Sequence, residues 1–184
     1  MGFLTPQAHG ELAVLTTYAL QQLAQMRTTV HGLTDEQAHS VPSASALNLT
    51  GLLLHTGEVA VYWTAAAASA PGEPVLPEDV NEDHSLDELV ADGRPLAQVL
   101  ERFDRCVEVA RQNLAAVADL SAPVPVPDAP WFPADLKTWE ARWALLHVTA
   151  EVARHVGHAD LIRESIDGTG SYELNDLADA AAQG

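Results

Sequence analysis

The sequence predicts an all-α fold, a four-helix bundle with long crossover connections, in which residues 1–170 form a single domain and 171–184 an acidic, Ala-rich tail. Three observations carry this expectation. Four long segments repeat apolar residues at the i, i+3, i+4, i+7 spacing of a 3.6-residue helix, and no stretch shows the strict alternation of a half-buried strand. The two long breaks, 69–83 and 121–139, are rich in proline, which interrupts helices and central strands alike. At 184 residues the chain is long enough for one full core and too short for two large ones.

The first helix is expected over about Gln7–Thr29, opened by Thr5-Pro6 and buried through Leu12, Leu15, Ala19, Leu23 and Met26. A polar connection carries His31 and His39, read as surface residues, and Thr34 with Gln37 forms a capping-box pattern. The second helix, about Ala46–Ala67, aligns Asn48, Leu52, His55, Val59 and Tyr62 on one face. His55 thus stands in an apolar stripe, as a core histidine bonded to a neighbour or as a ligand, and Gly51 and Gly57 leave room for a close approach. The Pro- and acid-rich 69–83 segment, with His84, reads as an exposed loop. A short helix is expected over 85–93, and the third long helix over about Pro95–Ala118 through Leu96, Val99, Phe103, Val107 and Leu114. In the second Pro-rich crossover, Trp131 and Phe132 read as anchors on the bundle or as the wall of a pocket.

The fourth helix, Trp139–Gly168 with Thr138 as its cap, carries the chemistry. At about 100° per residue, His147, Glu151, Arg154, His155 and His158 share one face. Arg142, Thr149, Asp160 and Arg163 form a solvated opposite face, so the His/Glu stripe should point inward. Between the two faces lie apolar flanks: Trp143, Leu146, Ala150, Ala153, Gly157 and Leu161 on one side, and Val148, Val152, Val156 and Ala159 on the other. Buried polar groups need partners or a metal. Residues four apart on a helix stand on neighbouring turns, so Glu151 and His155 can hold one ion, with His55 the best third ligand from another helix. Three protein ligands with an open position suit a catalytic metal; the mixed N/O set suits zinc, with nickel, iron or manganese admissible. His158 or His147 could replace a ligand or orient one from behind. The bland alternative is a hydrogen-bonded polar network with no ion.

Composition narrows the partners. A formal charge of −17 repels nucleic acid and anionic membrane surfaces. No apolar run reaches membrane-span length and the N-terminus lacks a signal-peptide pattern, so the expected compartment is the cytoplasm. The one cysteine, Cys106, excludes an internal disulfide and reads as buried and structural. Arg154, Arg94 and Arg102 could meet an anion, but pairing with surface carboxylates is the default. Exposed apolar flanks on long helices would suit a homodimer.

The runs NLTGLLLHTGEVAVYW and LLHVTAEVARHVGHADLIRESIDG resemble the two signature segments of the DinB-like (YfiT-like) metal-binding four-helix bundle superfamily. Many of its members use three histidines. Here the middle position is Glu151, which is similar to the mycothiol-dependent maleylpyruvate isomerase and thiol S-transferase branch with its His, Glu, His site. The resemblance implies His55, Glu151 and His155 as ligands of a divalent metal. It also implies a low-molecular-weight thiol cosubstrate, mycothiol- or bacillithiol-like, that is transferred to an electrophilic small molecule or used in an isomerisation. The alternative is a non-catalytic metal-binding or stress-response module.

Overall fold

The structure, a computed structural model, describes residues 4–80, 93–127, 130 and 132–181. Its elements are α1 (Glu11–Thr28), α2 (Asp35–His39), α3 (Leu49–Ser69), α4 (Leu96–Ala116), β1 (Pro123–Pro125), β2 (Thr138–Glu140), α5 (Ala141–Asp167) and α6 (Ser171–Ala181). The four long helices are α1, α3, α4 and α5. Burial follows their sequence character: α3, with few polar side chains, packs against both α4 and α5, while α1 packs against α5. Leu23, Met26, Leu52, Leu53, Phe103, Leu114, Leu145 and Val148 fill the centre.

Local signals explain most of the boundaries. The Asn48 side chain accepts the Gly51 N–H at 2.8 Å and caps α3, which starts at Leu49, three residues later than the sequence suggests. Thr34 and Gln37 close the expected capping box on α2. Gly168, at φ 81°, ends α5 in the left-handed conformation and donates its N–H to the Glu164 carbonyl.

Several expectations are corrected. Thr5-Pro6 does not open α1, which begins after Gly10. Thr138 does not cap α5; it pairs with Pro125 in an antiparallel ribbon that also joins Val124 to Trp139. The prolines forbid a central strand, but both strands of a two-stranded ribbon are edges, where proline is tolerated. At Gly57 the expected close approach is that of another helix, since a Cβ there would stand 3.2 Å from the Cys106 Cβ of α4. Beyond α5, α6 buries Leu174 and Asn175, and the Asn175 and Gln25 amides exchange two hydrogen bonds of 2.8 Å across to α1. His84, Trp131 and nearly all of the short 85–93 helix fall outside the described residues.

The orientation of α5 also differs. Arg163 is buried, 4% exposed, and donates to the Thr29 and His31 carbonyls at 2.8 Å each while pairing with Asp167. It satisfies backbone acceptors left open where α1 ends, a partnership that helical periodicity does not reveal. The Val148/Val152/Val156/Ala159 flank is buried as expected. In the other flank Leu146, Ala150, Ala153, Gly157 and Leu161 are exposed. The helix is therefore rotated so that the His/Glu stripe lies on the border between core and solvent.

Candidate metal centre

α3 and α5 cross where His55 and the Glu151/His155 pair meet. His55 holds its inward place because Leu52 and Val59 on its face are core residues; Val152 and Val156 do the same for the α5 pair. The result is a group of three ligand atoms all within 4.8 Å of one another. His155 Nε2 lies 3.0 Å from Glu151 Oε1, and His55 Nε2 lies 3.7 Å from the same oxygen. Two donors each about 2.1 Å from a tetrahedral ion stand roughly 3.4 Å apart, so these separations bracket the spacing such an ion imposes. The two imidazoles meet edge to face at 4.8 Å.

Hydrogen-bond accounting distinguishes a ligand set from a polar network. Neither nitrogen of His55 has a hydrogen-bond partner among the described residues, though the side chain is only 8% exposed. Nδ1 of His155 is likewise buried and unpartnered. A network would satisfy these atoms, because an unmet buried polar group costs about 1–3 kcal/mol. A divalent ion fits the donor set: two imidazole nitrogens and a carboxylate that is 27% exposed, leaving an approach from solvent.

The shifts at Glu151 and His155 agree with that fit. Burial alone would raise the Glu151 carboxyl, but the hydrogen bond from His155 and the neighbouring imidazoles outweigh it and hold it below the usual carboxylate range. Burial pushes His155 down despite its bond to Glu151, with His55 acting in the same direction. Burial also lowers His147, against the pull of Glu151. Neutral imidazole and ionised carboxylate are the ligand forms a divalent metal requires.

His147 and His158 stand to either side. The His158 ring sits 5.5 Å from that of His155, and its Nδ1 is buried without a partner among the described residues. The His147 ring stacks on Trp143 at 4.9 Å and meets the buried Trp63 edge-on at 5.0 Å. Trp143 in turn stacks on Trp139 at 4.0 Å, with Phe132 against Trp139. Sequence reasoning missed this aromatic wall, although its signal is present: Trp139, Trp143, His147, Glu151 and His155 follow one another at intervals of four. Phe132 anchors the crossover as expected. The arginines stay apart: Arg154 is exposed, and Arg102 is held by Glu58 at 3.1 Å and by the Val80 carbonyl. No helix among the described residues is long and apolar enough to cross a membrane.

Comparison with known proteins agrees with this architecture. A conserved protein from Enterococcus faecalis, known from a crystal structure, superposes with a TM-score of 0.57 at 16% identity, covering 85% of this chain and 96% of the other. That likeness shows the shared fold. No curated protein sequence matches the chain. The mycothiol-S-transferase family matches residues 14–168, which include both helices of the metal group and the whole aromatic wall. The chain therefore belongs to the mycothiol S-transferase family, within the DinB-like four-helix bundles.

Proposed function

We propose that this protein is a metal-dependent S-transferase, joining a low-molecular-weight thiol of the mycothiol or bacillithiol kind to an electrophilic small molecule. The observation that carries the reading is the unpartnered, buried His55 facing Glu151 and His155 in a chain of this family. His55, Glu151 and His155 would hold the ion, with zinc the best match to the donor set. Such an ion, when bound, lowers the pKa of a thiol and supplies a thiolate at neutral pH. In such a transfer the thiol sulfur would form its bond to the electrophilic carbon as the leaving group departs with its bonding electrons, and the thiol proton would pass to solvent or a neighbouring base. His147 and His158 would orient the ligands or take that proton. An external thiol also accounts for chemistry without a protein nucleophile, since Cys106 is buried and its thiol is pushed up to about 12. A thiol of this class belongs to the reducing cytoplasm.

The test is conjugation of mycothiol to a halogenated electrophile by the zinc-loaded protein, read by mass spectrometry of the thioether. Activity that disappears in His55→Leu supports the reading. Turnover unchanged in that variant overturns the assigned site. Zinc binding without conjugation of either mycothiol or bacillithiol would favour a non-catalytic metal-binding module.

A further inference from the structure

Two rows of side chains face each other where α3 crosses α5. On α3, His55, Val59 and Trp63 follow at intervals of four; on α5, so do Trp139, Trp143, His147, Glu151 and His155. The rows run in opposite directions, since His55 meets Glu151 and His155 at one end while Trp63 meets His147, Trp143 and Trp139 at the other. The ligand group therefore takes one end of a shared face and the aromatic wall the other. His147 stands between them.

The wall is built as a column. The rings of Trp139 and Trp143 lie parallel within 4° at 4.0 Å, and those of Trp143 and His147 within 7° at 4.9 Å. Trp63 meets all three edge-on. Because the ring faces point along the column, Trp143 covers one face of His147 and the other is turned towards Glu151, the next residue of the row. No ring among the described residues lies against that second face: the ring contacts of His147 are the Trp143 stack and the Trp63 edge. The Glu151 carboxylate does not close it, being drawn onward to Nε2 of His155 at 3.0 Å. Four residues of helix rise about 6 Å, so one further ring, added at the spacing of the column, would stand at the level of Glu151.

We infer that His147 selects the electrophile, and that this electrophile carries a planar aromatic ring. The ring stacks on the open face of His147 as the fourth member of the column, which brings a reactive carbon attached to it beside His55, Glu151 and His155. The inference rests on the S-transferase reading of that centre and adds its substrate class. Two further features favour a flat ring. The stack on Trp143 and the edge of Trp63 hold the His147 face in place before anything binds, which lowers the ordering cost of a ring laid on it. At the same level the facing row of α3 presents Val59, which is 4% exposed and offers a polar substrate no hydrogen bond from its side chain. A saturated ring of similar size lacks the π face and gains less from the stack.

Two α-chloro ketones test this, phenacyl chloride and its cyclohexyl counterpart, which share the reacting carbon and the leaving chloride and differ in whether the ring is flat. With mycothiol and zinc-loaded protein, the ratio of their kcat/KM values should fall about 2- to 12-fold in His147→Leu, the equivalent of about 0.5–1.5 kcal/mol for one aromatic pair. The ratio should be kept in His147→Phe, which has a ring face but no nitrogen. Loss of a role in orienting ligands or moving a proton would lower both ketones alike and leave the ratio unchanged. Binding is read separately, without turnover. Acetophenone, which has no leaving group, should shift the ring-proton NMR signals of His147 upfield in zinc-loaded protein, and methyl cyclohexyl ketone should not. An unchanged ratio in His147→Leu, a ratio lost in His147→Phe, or His147 signals that acetophenone does not shift would each overturn the inference. If neither ketone is conjugated, the S-transferase reading fails, and the NMR comparison alone decides the stacking.

Discussion

Replacing His55 by leucine should make the metal-free protein more stable and at the same time remove its response to metal. The imidazole is buried and neither nitrogen has a partner among the described residues. Without an ion it carries an unmet desolvation penalty of about 1–3 kcal/mol. Leucine is close in size and apolar, so it fills the space beside Leu52 and Val59 and removes that penalty, less about 1 kcal/mol for imperfect packing. The expected net change in chelator-treated protein is a gain of about 0–2 kcal/mol. Zinc should act in the opposite sense. At a free concentration 100-fold above Kd it stabilises the wild type by about 2.7 kcal/mol. For a chain of this size that corresponds to a rise in Tm of roughly 5–11 °C, which His55→Leu should lose. The assay is thermal unfolding of both proteins with chelator and with buffered zinc. A metal-free His55→Leu protein at least 2 kcal/mol less stable than wild type would show that His55 is a structural histidine, and an undiminished zinc shift in the variant would remove it from the ligand set.

Other consequences follow from buried groups away from the site. Arg163→Met keeps the side-chain stem but leaves the Thr29 and His31 carbonyls without their donor, while the Asp167 carboxylate keeps the Thr169 N–H; urea titration should show a loss of about 2–6 kcal/mol for two unmet acceptors, and a loss under 1 kcal/mol would contradict the role assigned to Arg163. Gly57→Ala places a methyl 3.2 Å from the Cys106 Cβ and should cost about 1–3 kcal/mol in the same assay, whereas Gly157→Ala should be tolerated in the isolated chain. Cys106 should resist alkylation at neutral pH until the protein unfolds. Its folded-state value of about 12 lies above the usual 9.0, so as pH rises past 9 the unfolded state loses the thiol proton first and binds fewer protons. Stability should therefore fall between those limits with a slope of up to about 1.4 kcal/mol per pH unit. Cys106→Ala should flatten that part of the profile relative to wild type, and identical profiles would contradict the argument.

The helices were legible because apolar periodicity reports burial directly: Leu23, Leu52, Phe103 and Val148 are core residues and were readable as such. The ligand group was legible for a related reason. An i, i+4 Glu/His pair and a histidine inside an apolar stripe need a partner, and the family likeness named the same three residues. The rotation of α5 was not legible, because a helix with two apolar flanks can bury either one. Arg163 misled the reading: an arginine facing the core looks solvated until the Thr29 and His31 carbonyls, far away in sequence, are placed beside it. The β ribbon was hidden by its own prolines, tolerable only because each strand is an edge. The aromatic wall has its α5 side at intervals of four in the sequence, but Trp63 joins it only through the α3–α5 crossing.

The proposed chemistry centres on one ion held between two helices. Its most direct test is diffraction from crystals of protein purified without chelators, with data collected on both sides of the zinc absorption edge. A single anomalous peak is expected within bonding distance of His55 Nε2, Glu151 Oε1 and His155 Nε2. Protein grown with supplemented metal that shows no peak there, with His55 in the same buried place, would contradict it.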